Sequence, residues 1–264
     1  MDKMHSSDKN IVFSEFFSRL QAAANSLLLL DYDGTLAPFQ KDRASAYPYP
    51  EVISWLENIL DTGKSNIIIV TGRAITELRP LLHPLRAIEI WGSHGMEHLA
   101  VDGTYRQTTI PFATAELLSN ASSWLTSAGL ASRTEIKPGG LAVHWRGLSP
   151  TVTTEIYTLA HSGLKPFIRH PELKLLEFDG GVELRVAHPH KGDAITSALS
   201  GIDLRTPVAY LGDDHTDEAA FRVLKSRGLT ALVREEYRTT NAQIWLRPVQ
   251  ELIGFLQLWR DCVT

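Results

Sequence analysis

The chain has 264 residues, of which 44% are hydrophobic and 21% charged, so we expect one large or two modest folded domains and no extended disorder. A formal net charge of −4, from 26 basic and 30 acidic residues, argues against general nucleic-acid binding. The one cysteine, Cys262, excludes an internal disulfide and a cysteine-rich zinc site.

The N-terminal segment predicts neither a signal peptide nor a membrane anchor. The first ten residues are polar and lack an apolar signal core. Residues 11–24 have the apolar spacing of an amphipathic helix. The apolar stretch over residues 11–30 is interrupted by charged and amide side chains, which a membrane span tolerates poorly. We therefore expect a cytoplasmic protein in a reducing compartment, with no membrane partner.

Five short apolar runs predict buried strands, and they cover residues 27–30, 67–70, 88–91, 208–211 and 231–233. Helical patterns alternate with them, which predicts an α/β fold with a Rossmann-like parallel sheet. The first four runs end in polar or glycine-rich residues. Ligands of open parallel sheets bind at the carboxyl ends of the strands, so we expect these four segments to converge there.

The middle of the chain has a different, α+β pattern. Helical spacing appears over residues 113–127 and 151–162, and strand-like runs over 134–146, 174–178 and 181–186. We interpret this region as a smaller domain inserted between two parts of a core. The predicted core covers residues 1–109 and 187–264, and the predicted cap covers residues 110–186.

Asp31 and Asp33 directly follow the first strand, and side chains two apart in an extended segment point the same way. Two neighbouring carboxylates repel each other unless a cation relieves them, and Mg²⁺ prefers oxygen ligands. One carboxylate can then act as nucleophile and metal ligand while the other acts as general acid and base. The alternative for this pair alone is a strand-end turn with solvated carboxylates.

Three later motifs offer groups that bind phosphate or metal ions. Thr71 and Arg73 follow the second strand, Lys191 precedes a helical stretch, and Asp213 with Asp214 follows the fourth strand. Taken singly, each motif has an ordinary explanation as a helix N-cap, a surface lysine or an acidic helix start. Together and in this order, they favour a phosphoryl-transfer site.

The order Asp-x-Asp, Thr-Gly-Arg, Lys-Gly, Gly-Asp-Asp resembles the haloacid-dehalogenase superfamily over the whole chain. The resemblance implies that Asp31 attacks phosphorus to give an aspartyl-phosphate and that Asp33 is the acid and base. It also implies that Mg²⁺ is held by Asp31, the Asp33 main-chain carbonyl and Asp213. The remaining implied roles are phosphoryl binding by Thr71 and Lys191, and orientation of Lys191 and the metal shell by Asp214 and Asp217.

Within the superfamily the chain is similar to the trehalose-6-phosphate phosphatase family, on the segments 29–37, 92–95, 141–146, 182–185 and 211–218. Val186 departs from the proline that is common there, in the linker back to the core. This resemblance implies that the substrate is bound by Arg73, His94, Glu135, Lys137, His144, Arg146, Glu183 and Arg185. Charged and imidazole groups of this kind supply both donors and acceptors for sugar hydroxyls.

The implied activity is Mg²⁺-dependent hydrolysis of trehalose 6-phosphate to trehalose and phosphate, the last step of trehalose biosynthesis. The partner would then be a small sugar phosphate. The sequence leaves the oligomeric state open and is compatible with a monomer. Alternatives are a phosphatase of sucrose 6-phosphate or glucosylglycerol phosphate, a phosphomannomutase, and a non-catalytic sugar-phosphate sensor. A receiver domain is disfavoured because its acidic pair comes first along the chain, whereas this pair comes last.

Overall fold

The computed structural model describes residues 6–40, 42–83, 85, 88–178 and 180–264, so the first half of the polar N-terminal stretch lies outside it. The chain divides into two compact units. The core unit contains the described residues up to Tyr105 together with Lys191–Thr264, and the cap unit contains Arg106–His190.

Twelve strands and eight α-helices are found in the described residues. The strands are β1 (Ser26–Leu30), β2 (Ser65–Val70), β3 (Glu89–Gly92), β4 (Glu97–Leu99), β5 (Tyr105–Gln107), β6 (Thr134–Lys137), β7 (Gly140–His144), β8 (Leu173–Phe178), β9 (Gly181–Val186), β10 (Val208–Gly212), β11 (Leu229–Val233) and β12 (Ile244–Leu246). The helices are α1 (Ser6–Ala22), α2 (Pro50–Asp61), α3 (Ile75–Leu78), α4 (Phe112–Ser127), α5 (Pro150–Leu164), α6 (Lys191–Ala198), α7 (Glu218–Leu224) and α8 (Gln250–Val263).

The core unit is built on a sheet in the order β12-β11-β10-β1-β2-β3-β4, with the short β5 at its edge. The pairs from β12 to β3 are all parallel, and β4 runs antiparallel to β3. All five predicted strands are therefore present, and the predicted α/β class with a parallel sheet is confirmed. The additional strands β4, β5 and β12 have three residues each.

Strand β1 is buried on both faces, which explains its continuous leucine run. Leu28 and Leu30 belong to one hydrophobic cluster, and Leu27 and Leu29 belong to another. Since successive side chains of a strand point to opposite faces, each cluster covers one face of the sheet. Burial on both faces fixes this strand at the centre of the sheet, between β10 and β2.

The four polar segments converge at the carboxyl edge of the sheet, as predicted. Asp31 follows β1, Thr71 follows β2, the turn Ser93–Gly95 follows β3 and Asp213 follows β10. These strands are parallel neighbours, so their ends lie side by side. Some boundaries differ from the prediction: helix α1 covers Ser6–Ala22 rather than residues 11–24, and Lys191, which was expected to precede a helix, is the first residue of α6.

The N-terminal apolar stretch divides into helix α1 and strand β1, which are separated by residues 23–25. Among the described residues, no helix is long and apolar enough to cross a membrane.

The cap unit contains an antiparallel sheet in the order β6-β7-β9-β8, together with α4 and α5. Helix α5 begins after Ser149, whose side chain accepts a hydrogen bond from the Val152 N–H, and Pro150 occupies the first helical position. The register places Glu135, Ala142 and Glu183 in one cross-strand row. The neighbouring row holds Lys137, Gly140 and Arg185.

Candidate active site

Asp31 and Lys191 form a buried ion pair at the carboxyl end of β1. The Lys191 Nζ lies 2.7 Å from Asp31 Oδ1, and the two side chains are only 3% and 4% exposed. The same Nζ lies 2.7 Å from Asp217 Oδ1. The predicted nucleophile, the predicted phosphoryl-binding lysine and a predicted orienting carboxylate are therefore brought together.

Asp31 and Asp213 hold protons more tightly than ordinary carboxyls do. Burial raises the pKa of Asp31 to about 7, although Lys191 lowers it, and the charges of Asp217 and Asp33 raise it further. Burial, followed by the charges of Asp31, Asp217 and Asp214, raises the pKa of Asp213 well above its usual range. Either protons or a bound cation must compensate this concentration of negative charge.

Asp217 is fully buried and its carboxylate is fully occupied by donors of this chain. Its Oδ1 accepts from Lys191 and from the Tyr210 hydroxyl, and its Oδ2 accepts from the N–H groups of Asp213 and Asp214. Two carboxylate oxygens offer about four acceptor positions, so these four donors use them all. Asp217 therefore orients its neighbours and has no acceptor position left for a metal ion.

The remaining carboxylates suit a hard divalent cation. Oxygen atoms of Asp31, Asp213 and Asp217 all lie within 4.8 Å of one another. With Asp217 occupied, Asp31 and Asp213 remain as an all-oxygen pair of the kind that Mg²⁺ prefers. The chain approaches this pair closely at Gly34, which has a φ of +80° and where a Cβ would lie 2.1 Å from Asp213 Oδ2. The residues present therefore fit a magnesium ion.

Asp33 is held by Arg73 through two parallel hydrogen bonds. Arg73 Nε lies 2.7 Å from Asp33 Oδ2, and Arg73 Nη2 lies 2.6 Å from Asp33 Oδ1. The third branch of the guanidinium donates to the Arg43 carbonyl at 2.7 Å. Arg73 was expected to bind substrate, but its guanidinium is buried and engaged in orienting Asp33.

Thr71 and His94 lie in two loops that are joined through their main chains. The Thr71 Oγ1 accepts from the Arg73 N–H at 3.1 Å, which leaves the hydroxyl proton to be donated. The His94 N–H donates to the Thr71 carbonyl at 2.9 Å. The His94 ring packs against Gly72, where a Cβ would lie 2.6 Å from two ring atoms. Both predicted site residues therefore face the same edge of the core unit.

Ser93 and His94 adopt left-handed backbone conformations, with φ values of 47° and 58°. Such values are uncommon for residues other than glycine and persist where the surroundings fix them. Glu97 provides part of that fixation, because its buried carboxylate accepts from the Ser93 hydroxyl at 2.5 Å and from the Ile75 N–H at 3.2 Å. The Glu97 side chain therefore holds the loop that carries His94.

Asp214 was expected to orient Lys191 or the metal shell. In the structure its carboxylate accepts from the His215 N–H at 2.7 Å and caps the helical turn His215–Asp217. Its contribution is therefore to the loop that carries Asp213 and Asp217.

Four of the predicted substrate-binding residues of the cap unit lie in two side-chain pairs. Lys137 Nζ lies 2.9 Å from Glu183 Oε1, and His144 Nε2 lies 2.8 Å from Glu135 Oε2. Both pairs cross between strands of one sheet.

The two predicted cap arginines lie at strand ends. Arg185 donates to the main-chain carbonyls of Val186, at 3.1 Å, and Pro189. Arg146 lies beside Gly180, where a Cβ would be 2.9 Å from the Arg146 Cβ. The resemblance implied that Arg185 binds substrate and did not imply these main-chain contacts.

The sequence did not identify Tyr210 or Arg238 as site residues, and it placed Glu218 in the acidic segment 211–218 without a role. A tyrosine inside a fully buried strand needs a partner for its hydroxyl, so the apolar run 208–211 did contain a signal for Tyr210. Arg238 Nη2 donates to the Asp214 carbonyl at 2.7 Å, and its Nη1 contacts Glu218 at 2.5 Å. Arg238 lies in a charged segment that gave no such signal.

A family model described as trehalose-phosphatase matches residues 29–244. Trehalose-phosphate phosphatase B of Arabidopsis thaliana is 29% identical over 253 residues, a match that covers 88% of this chain and 65% of the plant protein. The chain thus spans just under two thirds of the length of that relative.

Solved structures support the fold. The C-terminal domain of C. albicans trehalose-6-phosphate phosphatase gives a TM-score of 0.81 at 18% identity, covering 94% of this chain and 96% of that one. A haloacid dehalogenase-like hydrolase from B. subtilis gives a TM-score of 0.64 at 13% identity, covering 88% and 99%. At such identities the likeness establishes a haloacid-dehalogenase-like fold. Since the family model covers most of the chain, this protein belongs to the trehalose-phosphatase family.

Proposed function

We propose that the chain is a Mg²⁺-dependent phosphatase that hydrolyses trehalose 6-phosphate to trehalose and phosphate, the last step of trehalose biosynthesis. The observation that carries the proposal is the buried Asp31–Lys191 pair beside Asp213 at the carboxyl edge of a parallel sheet. Membership of the trehalose-phosphatase family supports the choice of substrate.

In the first step, an Asp31 carboxylate oxygen attacks the phosphorus atom. An acyl-phosphate P–O bond forms, the P–O bond to the sugar breaks, and the departing sugar oxygen takes a proton from the protonated form of Asp33, which is left as a carboxylate. The two-pronged contact with Arg73 fixes the Asp33 carboxyl group at this end of the strand. The Lys191 ammonium stays charged, because Asp217 and Asp31 raise its pKa although burial lowers it. It therefore offsets negative charge on the phosphoryl oxygens.

In the second step, a water molecule attacks the phosphorus atom of the aspartyl-phosphate. Asp33 accepts a proton from that water, the acyl-phosphate P–O bond breaks, and phosphate leaves with the Asp31 carboxylate restored. The Thr71 hydroxyl, at the end of the neighbouring strand, supplies a hydrogen bond to a phosphoryl oxygen. Over the two steps one water molecule is consumed, and Asp31 and Asp33 return to their starting states.

Asp31, Asp213 and the main-chain carbonyl of Asp33 would hold the magnesium ion. A bound divalent cation supplies positive charge that stabilises a phosphoryl group and relieves the repulsion among carboxylates. The raised pKa values of Asp31 and Asp213 are consistent with a site that needs such a charge.

The sugar is proposed to be recognised by the two side-chain pairs of the cap sheet, Lys137–Glu183 and Glu135–His144. Each pair combines hydrogen-bond donors and acceptors, as hydroxyl recognition requires. A site of this kind discriminates against esters that lack the matching hydroxyls, because its polar groups would be left unpaired.

The decisive experiment is phosphate release from a panel of sugar phosphates, with Mg²⁺ and with a chelator. The panel contains trehalose 6-phosphate, sucrose 6-phosphate, glucosylglycerol phosphate and glucose 6-phosphate. We expect Mg²⁺-dependent turnover with a clear preference for the trehalose ester, and none for Asp31→Asn, whose amide is a poor nucleophile. A preference for another ester would identify that ester as the substrate instead of trehalose 6-phosphate. Binding without turnover by the unaltered protein would indicate a sugar-phosphate sensor.

A further inference from the structure

A charged contact outside the described catalytic groups joins two loops at the carboxyl edge of the core sheet. The first loop follows β10 and carries Asp213. The second, residues 234–243, connects β11 to β12. Arg238 in the second loop donates from Nη2 to the Asp214 carbonyl at 2.7 Å, and reaches the Asp213 carbonyl at 3.4 Å from Nε and Nη2.

Glu218 is the partner that fixes Arg238. Arg238 Nη1 lies 2.5 Å from Glu218 Oε1, and the two side chains are 14% and 13% exposed. The Glu218 carboxylate also accepts from the Thr240 hydroxyl at 2.7 Å and from the N–H and side-chain amide of Asn241, each at 2.8 Å. These donors outweigh burial and lower the pKa of Glu218, so the carboxylate is ionised at neutral pH.

The contacts of Arg238 to the Asp213 segment are made with main-chain oxygens. They hold the main chain of the segment in position and leave the Asp213 carboxylate without a contact to Arg238 among these hydrogen bonds. From the other side, Asp217 accepts from the N–H groups of Asp213 and Asp214 at 3.2 Å and 2.9 Å. Arg238 therefore binds the main-chain carbonyls of Asp213 and Asp214, and Asp217 binds their N–H groups.

Repulsion among the neighbouring carboxylates makes these main-chain contacts important. Oxygen atoms of Asp31, Asp213 and Asp217 lie within 4.8 Å of one another, so ionised carboxylates at these positions repel one another and favour displacement of the Asp213 segment. A guanidinium on the carbonyls of that segment opposes the displacement. Mutation of groups that orient metal ligands typically lowers metal affinity about ten- to hundredfold.

We propose that Arg238 and Glu218 are positioning residues that hold the Asp213 segment ready to accept a divalent cation. The inference rests on the magnesium role proposed above. It assigns a function to the loop between β11 and β12, which supplies none of the predicted catalytic groups.

The test measures Mg²⁺ binding in the absence of substrate, by calorimetry and by the Mg²⁺-dependent rise in Tm. The variants are Arg238→Met, Arg238→Lys and Glu218→Gln. Arg205→Gln is the matched control, because it removes an Arg–Asp ion pair of which Arg205 is 92% exposed. Hydrogen exchange of peptides that cover residues 213–217 is followed in metal-free protein.

We expect Arg238→Met to weaken Mg²⁺ binding about tenfold and Glu218→Gln to weaken it in the same direction, as found for other groups behind metal ligands. Arg238→Lys keeps the positive charge but lacks the branched donors of the guanidinium, so we expect its Mg²⁺ affinity to lie between those of wild type and Arg238→Met. Exchange in residues 213–217 becomes faster in Arg238→Met. The KM for the sugar phosphate at saturating Mg²⁺ stays near the wild-type value, which a general loss of structure would not allow.

Two failures are distinguishable. If wild-type protein binds Mg²⁺ and Arg238→Met binds it as tightly as Arg205→Gln does, or exchange is unchanged, the positioning role is overturned and the proposed function stands. If wild-type protein neither binds Mg²⁺ nor needs it for turnover, the metal role in the proposed function is overturned and this inference falls with it.

Discussion

Lys191 connects two buried carboxylates of the core unit. Lys191 Nζ lies 2.7 Å from both Asp31 and Asp217, and all three side chains are nearly inaccessible to solvent. Removing one member of such a group leaves an uncompensated buried charge, at a cost of about 3–5 kcal/mol. Asp217 has four donors, and Tyr210 is the uncharged side chain among them, so its hydroxyl can be removed without removing a charge.

Tyr210→Phe tests the contribution of that hydroxyl with the smallest possible change. Burial, with the charges of Asp217 and Asp31, raises the pKa of Tyr210 well above its usual range, so the phenol remains a hydrogen-bond donor to Asp217. Without it, Asp217 loses one of its four donors and holds Lys191 less firmly. We expect kcat to fall about tenfold, the lower end of the range for groups that orient a site from behind.

Steady-state kinetics on the sugar phosphate checks this expectation. Tyr157→Phe is the control, because it removes a similar tyrosine–carboxylate hydrogen bond, to Glu177 at 2.9 Å, on a cap helix. A kcat for Tyr210→Phe equal to that of the control would show that Asp217 positions Lys191 without its tyrosine.

At the scale of elements, the site is a set of turns at the ends of parallel strands. The turn after β1 contains Gly34, whose φ of +80° and missing Cβ let the chain pass beside Asp213 Oδ2. A side chain at this position would have to displace the Asp213 carboxylate. The close approach of the turns after β1 and β10 is thus a requirement of the candidate metal site.

Gly34→Ala is expected to impair both stability and Mg²⁺-dependent turnover. Its matched control is Gly63→Ala, which has a φ of +68° and no atom within 4 Å of the added Cβ. The left-handed backbone costs each variant about 1–2 kcal/mol. Only Gly34→Ala should also raise the Mg²⁺ concentration needed for half-maximal activity. Thermal unfolding and Mg²⁺ titrations compare the two, and equal Mg²⁺ requirements would contradict the proposed ligand role of Asp213.

Four of the five core strands that the sequence predicted have continuous apolar runs, and the fifth, residues 88–91, contains Glu89. The apolar runs 27–30 and 208–211 are typical of strands buried on both faces, and both form central strands. Strand β12 was missed because its three residues provide too short a pattern to recognise. Edge strands, with few residues and mixed polarity, are generally harder to detect than central ones.

Contacts between distant residues were the part that local patterns could not give. Asp33 and Arg73 were both identified as site residues, yet their two-pronged pairing depends on how β1 and β2 lie side by side. Arg238 was missed for the same reason, since its partners follow a different strand. Residue types at strand ends are visible in a sequence, whereas the pairing among them is set by the sheet.

For the whole molecule, the buried carboxylates make stability depend on pH and on metal. The pKa of Asp31 is raised from 3.8 to about 7 in the folded chain. Between these values the folded state keeps a proton that the unfolded state has lost. Raising the pH through this window therefore removes protons from the folded state and lowers the free energy of unfolding. The raised pKa of Asp213 acts in the same direction.

We therefore expect metal-free protein to have a lower Tm at about pH 8 than at about pH 5, because the stability contributed by the protonated carboxyls is lost. Mg²⁺ binds the ionised carboxylates, so it should raise Tm more at the higher pH. In Asp31→Asn the amide does not titrate, and both the pH dependence and the Mg²⁺ effect should shrink. Thermal unfolding at the two pH values, with chelator and with Mg²⁺, measures this. An equal Mg²⁺ effect at both pH values would mean that the cation binds away from Asp31 and Asp213.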